Sequence, residues 1–294
     1  MNGLGMGILG GLGSAACWAT ITVLGRSISG ALSPAVINAV RAISGGLLVV
    51  VVAVAAGYGP EILRIPLWAL LAFWISMGIG FAIGDTVFFA GMEYLGVTRA
   101  HTLSMVHPLL TTLIGIGLLG EPVSTVRALG ILLVLGGLLL IVSGRGADSA
   151  DGPAVQWRGV RLVLLAAVSW TIAAVLLKAP LQGVSAPAAT AVRAPMGGLV
   201  LLLTPWARGA WPAVRTCRSP ELTRLGAICL LSFASSLLFT AGIKHAGVAV
   251  GTVLATTSPL FTIPLETFVL GHRPTGRTIA GAVVTVGGIA LINL

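Results

Sequence analysis

The sequence predicts an all-α membrane protein in which ten transmembrane helices form two inverted five-helix repeats. Three observations predict this fold: the chain is poor in charge, its apolar residues fall in long runs, and the sequence repeats itself once. Charged residues make up 9% of the 294 residues and apolar residues 56%, whereas a soluble domain carries roughly 25% charged residues. A soluble globule and a disordered chain are therefore both excluded.

The apolar runs have the length of membrane-spanning helices. A transmembrane helix needs about 20 mostly apolar residues, and breaks at glycine, proline and arginine divide the chain into ten such runs. The runs lie near residues 4–25, 34–56, 67–94, 98–119, 124–143, 158–178, 187–205, 221–243, 248–270 and 275–293. The connections between them are short, so we expect no soluble domain.

An internal repeat relates the two halves of the chain. Residues 39–47 (AVRAISGGL) and 191–199 (AVRAPMGGL) are identical at seven of nine positions, at an offset of 152. After a one-residue slip, an offset of 151 pairs Pro108 with Pro259. Each copy holds five runs, an odd number, so equivalent helices must cross the membrane in opposite directions. The predicted units are a first repeat at 1–145, a linker at 146–157 and a second repeat at 158–294.

The distribution of positive charge predicts the orientation in the membrane. The chain carries 17 Lys and Arg against 8 Asp and Glu, a net charge of +9, and the basic residues stand singly between apolar runs. This pattern is typical of the positive-inside rule, so nucleic acid is not expected as a partner. Alternate connections hold eleven basic residues on one side and four on the other. We therefore expect a multi-pass protein of the inner (plasma) membrane with both termini on the non-cytoplasmic side.

Four charged residues are candidates for a position deep in the membrane: Arg41, Asp85, Arg193 and Glu266. A charge at the centre of a transmembrane helix costs about 2.5–3.5 kcal/mol on insertion. Asp85 lies in the middle of the third run, with Phe89 one helical turn later. Asp85 either forms a structural ion pair with Arg41 or binds a substrate amine or a proton. Arg41 and its repeat equivalent Arg193 form a gate or tie down helix ends. Glu266 either faces a polar cavity between the helices or forms an ion pair near the membrane surface.

The fourth and ninth runs carry a proline near their midpoints. Pro108 and Pro259 each remove a backbone hydrogen bond and are predicted to kink their helices. His101 and Ser104 share a helical stripe with Pro108 and are candidates to line a substrate site. His107 is expected on a different face. Each histidine could instead serve an ordinary hydrogen bond between helices.

Two tryptophans and two hydroxyl residues complete the candidate site. Trp18 and Trp170 lie in the middle of their runs, away from the interfaces where tryptophan usually collects. They either pack between helices or offer stacking faces to an aromatic substrate. Ser236 occupies the repeat position of Asp85, and Thr256 adds a hydroxyl beside the proline of the ninth run.

These residues resemble the EamA-type, ten-helix branch of the drug/metabolite transporter superfamily. The likeness rests on Trp18 and Trp170, on Arg41 and Arg193, and on a P-x(11)-G-E pattern that ends at Glu121. The resemblance implies a secondary transporter with a midplane cavity built from helices 1, 3, 4, 6, 8 and 9. It also implies a small-molecule substrate: many relatives export amino acids or other metabolites, and one branch exports aromatic amino acids.

Several alternatives remain beside this interpretation. His272 stands where the first copy has Glu121, and relatives with cytoplasmic termini differ from the orientation that the charges predict. A multidrug or nucleotide-sugar carrier would share the fold, and a channel or a membrane scaffold would share the composition. The sequence contains no phosphate loop, metal-ligand cluster or catalytic dyad, so we expect neither an enzyme nor a cofactor or metal site. It does not predict an oligomeric state, and a monomer could suffice.

Overall fold

The described part of the chain is helical throughout. The structure is a computed structural model and describes residues 3–104, 106–143, 153–203, 210–258, 260–262, 264–265 and 275–292. The helices are α1 (Gly3–Ile28), α2 (Pro34–Ala55), α3 (Gly59–Leu63), α4 (Leu67–Met77), α5 (Thr86–Ser104), α6 (Val106–Gly117), α7 (Thr125–Ser143), α8 (Pro153–Leu181), α9 (Ala186–Leu203), α10 (Ala210–Arg215), α11 (Ser219–Ala255) and α12 (Gly276–Ile292).

Between α4 and α5 the chain forms a π-helical segment, Gly78–Asp85. Sequence periodicity gave no sign of it, because a π turn changes the hydrogen-bond register without changing composition. Such segments are rare and are frequent at functional sites. Gly80 and Gly84 allow α8 to approach closely, since a Cβ added to Gly80 would lie 2.6 Å from the Cβ of Ala173. The segment ends at Asp85, the buried carboxylate that the sequence singled out.

Six helical stretches of the described chain are long and apolar enough to cross a membrane, and three shorter apolar helices accompany them. The third predicted run matches a 29-residue span, Leu67–Leu95. Gly247, at φ 82° and ψ 169°, interrupts α11, at the connection expected between the eighth and ninth runs. Large apolar side chains such as Leu113 and Val283, each 68% exposed, cover the outside. The protein is therefore a multi-pass membrane protein.

The main helix contacts join the two sequence copies. Helix α2 packs on α9 and α7 packs on α12, so helices at equivalent repeat positions touch. Helix α1 packs along α11, and α5 packs on α8. Along the α1–α11 contact, a Cβ on Gly10 would lie 2.6 Å from the carbonyl oxygen of Leu238. Small residues thus let the backbones approach closely, as is common between helices in membranes.

The repeated GGL sequence forms the contact between α2 and α9. A Cβ on Gly46 would lie 2.7 Å from the backbone nitrogen of Pro195, and one on Gly198 would lie 2.9 Å from the backbone nitrogen of Ile43. Backbone atoms cannot rotate away as a side chain can. Glycine is therefore required at both crossings, one turn after the buried arginine of each helix.

We predict that Gly46→Ala lowers the thermal unfolding midpoint of the purified protein in detergent. The added methyl group forces α2 and α9 apart, at a cost of about 1–3 kcal/mol, which exceeds the gain of about 1 kcal/mol in helix propensity. Gly226→Ala is the matched control, because Gly226 is helical, exposed and has no heavy atom within 4 Å of the added Cβ. Equal midpoints for the two variants would contradict the packing argument.

Candidate functional site

A cavity of about 180 Å³ lies between the two sequence copies. Its lining comes from α1, α2, α4, the π-helical segment, α5 and α6 on one side, and from α8, α9, α11 and residues 256–258 on the other. The resemblance implied that the first, third, fourth, sixth, eighth and ninth predicted helices build the cavity. The structure adds the second helix of each copy, α2 and α9, which carries the buried arginine. The cavity therefore collects side chains from both halves of the chain.

Arg41 and Asp85 form a buried ion pair at the cavity wall. Arg41 is 2% exposed and Asp85 is 8% exposed. The guanidinium also donates from Nε to Asn38 Oδ1 at 2.8 Å and from Nη1 to Ser232 Oγ at 3.3 Å. Its Cζ lies 4.2 Å from the ring centroid of Phe81. Each edge of the guanidinium thus has a partner, which is the condition under which a buried ion pair is tolerated.

Trp170 connects this ion pair to an aromatic wall. Its Nε1 donates to Asp85 Oδ1 at 2.7 Å, and its ring lies against Gly84, where a Cβ would come within 2.8 Å. The ring centroid of Trp170 is 5.0 Å from that of Phe88 and 6.4 Å from that of Trp18, the latter edge to face at 88°. The wall therefore offers ring faces and edges to an apolar or aromatic group.

Several hydroxyl groups also line the cavity. They belong to Ser14 of α1 and to residues of α11 and the turn after it: Ser232, Ser235, Ser236, Thr256 and Ser258. Ser14 Oγ and Ser235 Oγ are 3.1 Å apart and join the two copies. The serines recur in α11 at spacings of three and four residues, so one helix face presents them together. The cavity lining thus combines aromatic rings with hydroxyl groups.

His107 lines the cavity beside Trp170, with ring centroids 5.7 Å apart. Its Nδ1 is 3.2 Å from the hydroxyls of Thr171 and Thr111. These hydroxyls donate their own protons to carbonyls, Thr171 to Ala167 at 2.9 Å and Thr111 to His107 at 2.8 Å. They can only accept from Nδ1, so we assign a proton to Nδ1. In the neutral ring Nε2 is then an acceptor.

Arg193 lines the same cavity but is paired differently from Arg41. It is 6% exposed, and its Nη1 donates to Thr240 Oγ1 at 3.1 Å. Its Nε is buried without a hydrogen-bond partner. Within the described ranges, no carboxylate forms an ion pair with it. The cavity wall therefore contains one guanidinium with a neutralising partner and one without.

Two carboxylates of the first copy hold helix starts of the second copy at one end of the bundle. Glu61 accepts from the backbone N–H of Ser185 at 2.6 Å and from its hydroxyl at 2.7 Å, directly before α9. Glu121 accepts from the N–H groups of Val248 and Ala249 at 2.7 and 2.9 Å, directly after the break in α11. Negative charge is favoured at helix N-termini. We call these two contacts the latch.

Two lysines lie beside the two contacts of the latch. Lys178 Nζ is 3.3 Å from Glu121 Oε1 and donates to the carbonyl of Leu119 at 2.8 Å. Lys244 Nζ donates to the carbonyls of Leu181 and Val184, at 2.8 and 2.7 Å, immediately before Ser185. The connections that follow α2, α6 and α8 therefore meet in one polar layer.

The structure brings most of the predicted site residues together at the cavity. The cavity-lining ones are Trp18, Arg41, Asp85, Ser104, Trp170, Arg193, Ser236 and Thr256. Phe89 does not line it: its buried ring packs behind Trp18, with centroids 5.8 Å apart. Pro108 is buried in α6 and is not a lining residue. The side chain of His101 and the residues Pro259, Glu266 and His272 lie outside the described residues.

Sequence reasoning missed several lining residues. His107 was expected on another face than the stripe through Ser104, yet both residues border the cavity. Phe81, in the π-helical segment, also borders the cavity and lies over the Arg41 guanidinium. Ser232 and Ser235 could have been found from the hydroxyl spacing in α11.

Comparison with known proteins places this geometry in a family. The EamA-like transporter family matches the chain twice, at residues 5–143 and 157–294. A WAT1-related, chloroplastic protein of Arabidopsis thaliana is 27% identical over 289 residues, which are 94% of this chain and 66% of that protein. The chain thus spans just under two thirds of the plant protein. The uncharacterized transporter YvbV of Bacillus subtilis (strain 168) is 25% identical over 269 residues, 88% of this chain and 82% of that one.

A solved structure described only as "Crystal structure of protein" shares the fold. Its TM-score is 0.76 at 20% sequence identity, with 97% of this chain and 95% of that chain covered. This likeness concerns the fold alone. The two family matches, by contrast, cover nearly the whole sequence, and the chain belongs to the EamA-like transporter family.

Proposed function

We propose that the protein is a secondary transporter that exports small metabolites, amino acids and aromatic ones among them. Transport proceeds by alternating access of two inverted five-helix repeats, residues 1–145 and 158–294, around the central cavity. The observation that carries this proposal is the cavity itself, which holds a buried ion pair and is lined by both copies. A cavity between two related halves is the site that alternating access requires.

The helix contacts support the inverted arrangement. The two helices that carry the repeated GGL sequence, α2 and α9, pack on one another, and so do α7 and α12 at the ends of the two copies. The α1–α11 and α8–α5 contacts are the reciprocal pair that a pseudo-two-fold axis would generate. Each copy contributes an odd number of predicted helices, so this axis lies in the membrane plane.

The cavity chemistry favours a small amphipathic substrate over the alternatives of the same fold. Its volume of about 180 Å³ is below the range of about 300–1,000 Å³ that is usual for drug-sized ligands. A nucleotide sugar carries several negative charges, whereas Arg193 is the single unpaired cation among the described lining residues. An amino acid with an aromatic side chain matches this lining, because its ring can contact the aromatic wall and its polar groups can bond to the hydroxyl groups.

The latch is the contact that we expect to open when the halves rock. It consists of hydrogen bonds that N–H groups at helix starts donate to carboxylates, and water can replace such bonds at low cost when the surface opens. We place this end of the bundle on the non-cytoplasmic side, because the connection with Arg64 belongs to the set with four basic residues.

We predict that Asp85→Asn reduces counterflow of labelled L-phenylalanine in proteoliposomes at least tenfold. The substitution also lowers the unfolding midpoint, because Arg41 stays buried without a counter-charge, at a cost of about 3–5 kcal/mol. The double variant Arg41→Gln/Asp85→Asn regains the midpoint but not the counterflow. Glu93→Gln, which changes an exposed carboxylate of α5, serves as the control. Full counterflow by the double variant would mean that the ion pair is only structural.

We predict that cross-linking the latch stops transport reversibly. Glu61→Cys and Ser185→Cys, in a chain whose three native cysteines are replaced by serine, are joined with a short bis-methanethiosulfonate reagent. Uptake is expected to fall to background and to return after reduction with dithiothreitol. The single variant Glu61→Cys treated in the same way is the control. Undiminished uptake by the cross-linked protein would contradict opening at this end.

We predict opposite labelling at the two ends of α2. In intact cells, an impermeant maleimide should label Leu63→Cys, beyond the end of α2, and should not label Ser29→Cys, before its start. Both positions are exposed, so accessibility to water does not distinguish them. Labelling of Ser29→Cys alone before lysis would reverse the proposed orientation.

A further inference from the structure

We propose that Arg193 binds a carboxylate of the transported molecule. The site then accepts aromatic or apolar compounds that carry one carboxylate, and it rejects amines of the same shape that lack it. This inference rests on the proposed transport function and names the substrate class of that same cavity.

The charges that border the cavity do not balance. Arg41 and Asp85 neutralise one another, and the remaining described lining residues are hydroxyl, aromatic, aliphatic or histidine side chains that contribute no negative charge. Arg193 is left as one uncompensated cation. It is 6% exposed, so it does not extend along the helix to a lipid headgroup as arginines near membrane surfaces do. A bound anion would supply the missing charge.

The edge of the Arg193 guanidinium that carries Nε and Nη2 has the geometry that binds a carboxylate. Thr240 Oγ1 accepts a hydrogen bond from Nη1, and its own hydroxyl donates to the carbonyl of Ser236 at 2.8 Å, which fixes the orientation of the pair. Nε has no partner, and Nη2 makes no hydrogen bond to any described residue. The Nε and Nη2 hydrogens lie parallel on one edge, which is the geometry that a carboxylate accepts with both oxygens.

The repeat explains why this edge is free. Arg41 and Arg193 occupy the same position of the AVRA sequence, and the carboxylate that Arg41 meets is Asp85. The equivalent of Asp85 in the second copy is Ser236, at an offset of 151, and Ser236 lines the cavity. The second copy thus keeps the buried arginine and lacks its acid. We infer that the substrate carboxylate takes the place that Asp85 fills in the first copy.

The rest of the substrate faces the aromatic wall. Trp18, Phe81, Phe88 and Trp170 border the cavity together with Arg193, so a ring attached to the carboxylate by a short chain remains within one enclosed space. One unpaired cation matches one negative charge, which favours a carboxylate monoanion or a zwitterion.

The test compares three labelled probes of one shape: 3-phenylpropionate, L-phenylalanine and phenethylamine. Their binding to the purified full-length protein in detergent is measured by scintillation proximity, which avoids passive diffusion through lipid. The wild-type chain is expected to bind the two carboxylates and not the amine. Arg193→Gln is expected to weaken carboxylate binding at least tenfold, and Arg193→Lys, which keeps the charge without the planar fork, to weaken it less.

A second variant keeps the test independent of damage to folding. Ser236→Asp supplies the missing acid, so it is expected to pair with Arg193, to raise the unfolding midpoint and to abolish carboxylate binding. Arg224→Gln, which changes an exposed arginine of α11 outside the cavity, is the matched control and is expected to bind as the wild type does.

The outcomes separate the inference from the transport function. Carboxylate binding that survives Arg193→Gln or Ser236→Asp, or equal binding of phenethylamine by the wild type, overturns the inference alone when L-phenylalanine counterflow is present. Absence of both binding and counterflow in the wild type overturns the inference together with the proposed function.

Discussion

The burial of Arg41 against Asp85 is the constraint on which the centre of the molecule depends. Two charges away from water are stable only when each has its partner and its remaining hydrogen bonds are satisfied. Arg41 therefore requires Asn38 and Ser232, and Asp85 requires Trp170. Ser232 and Trp170 belong to the second sequence copy. The ion pair of one copy is thus completed by the other, which fixes both copies around the same cavity.

The asymmetry between the copies gives the cavity its chemistry. A perfectly repeated chain would place an acid against each arginine and leave the cavity neutral. Here the acid is present at Asp85 and absent at Ser236, while the arginine and the GGL sequence that follows it are kept in both copies. The helices are therefore duplicated and the acid is not, and the proposed carboxylate site rests on this difference.

Hydropathy was sufficient to predict a helical membrane protein, and eight of the predicted site residues line the cavity. A charge inside an apolar run must find a partner or a polar cavity, which is why Asp85, Arg41 and Arg193 were identifiable. Side-chain direction was less predictable. The directions of His107 and Phe81 depend on the helix register, and Phe81 lies in the π-helical segment, where Gly84 meets Trp170 from a distant part of the sequence. Phe89, one turn after Asp85, packs against Trp18 and does not line the cavity.

Under the proposed alternating access, the distribution of polar and small residues indicates which contacts break and which stay closed. In the α1–α11 and α2–α9 contacts, glycine packs against backbone. These are van der Waals contacts, so they contain no hydrogen bonds that water could replace. The latch, by contrast, consists of carboxylates on backbone N–H groups in the connections between helices. Its hydrogen bonds can be replaced by water when that end opens, whereas separation of the glycine contacts would leave voids between backbones. Rocking is therefore expected to pivot on the glycine contacts and to break the latch first.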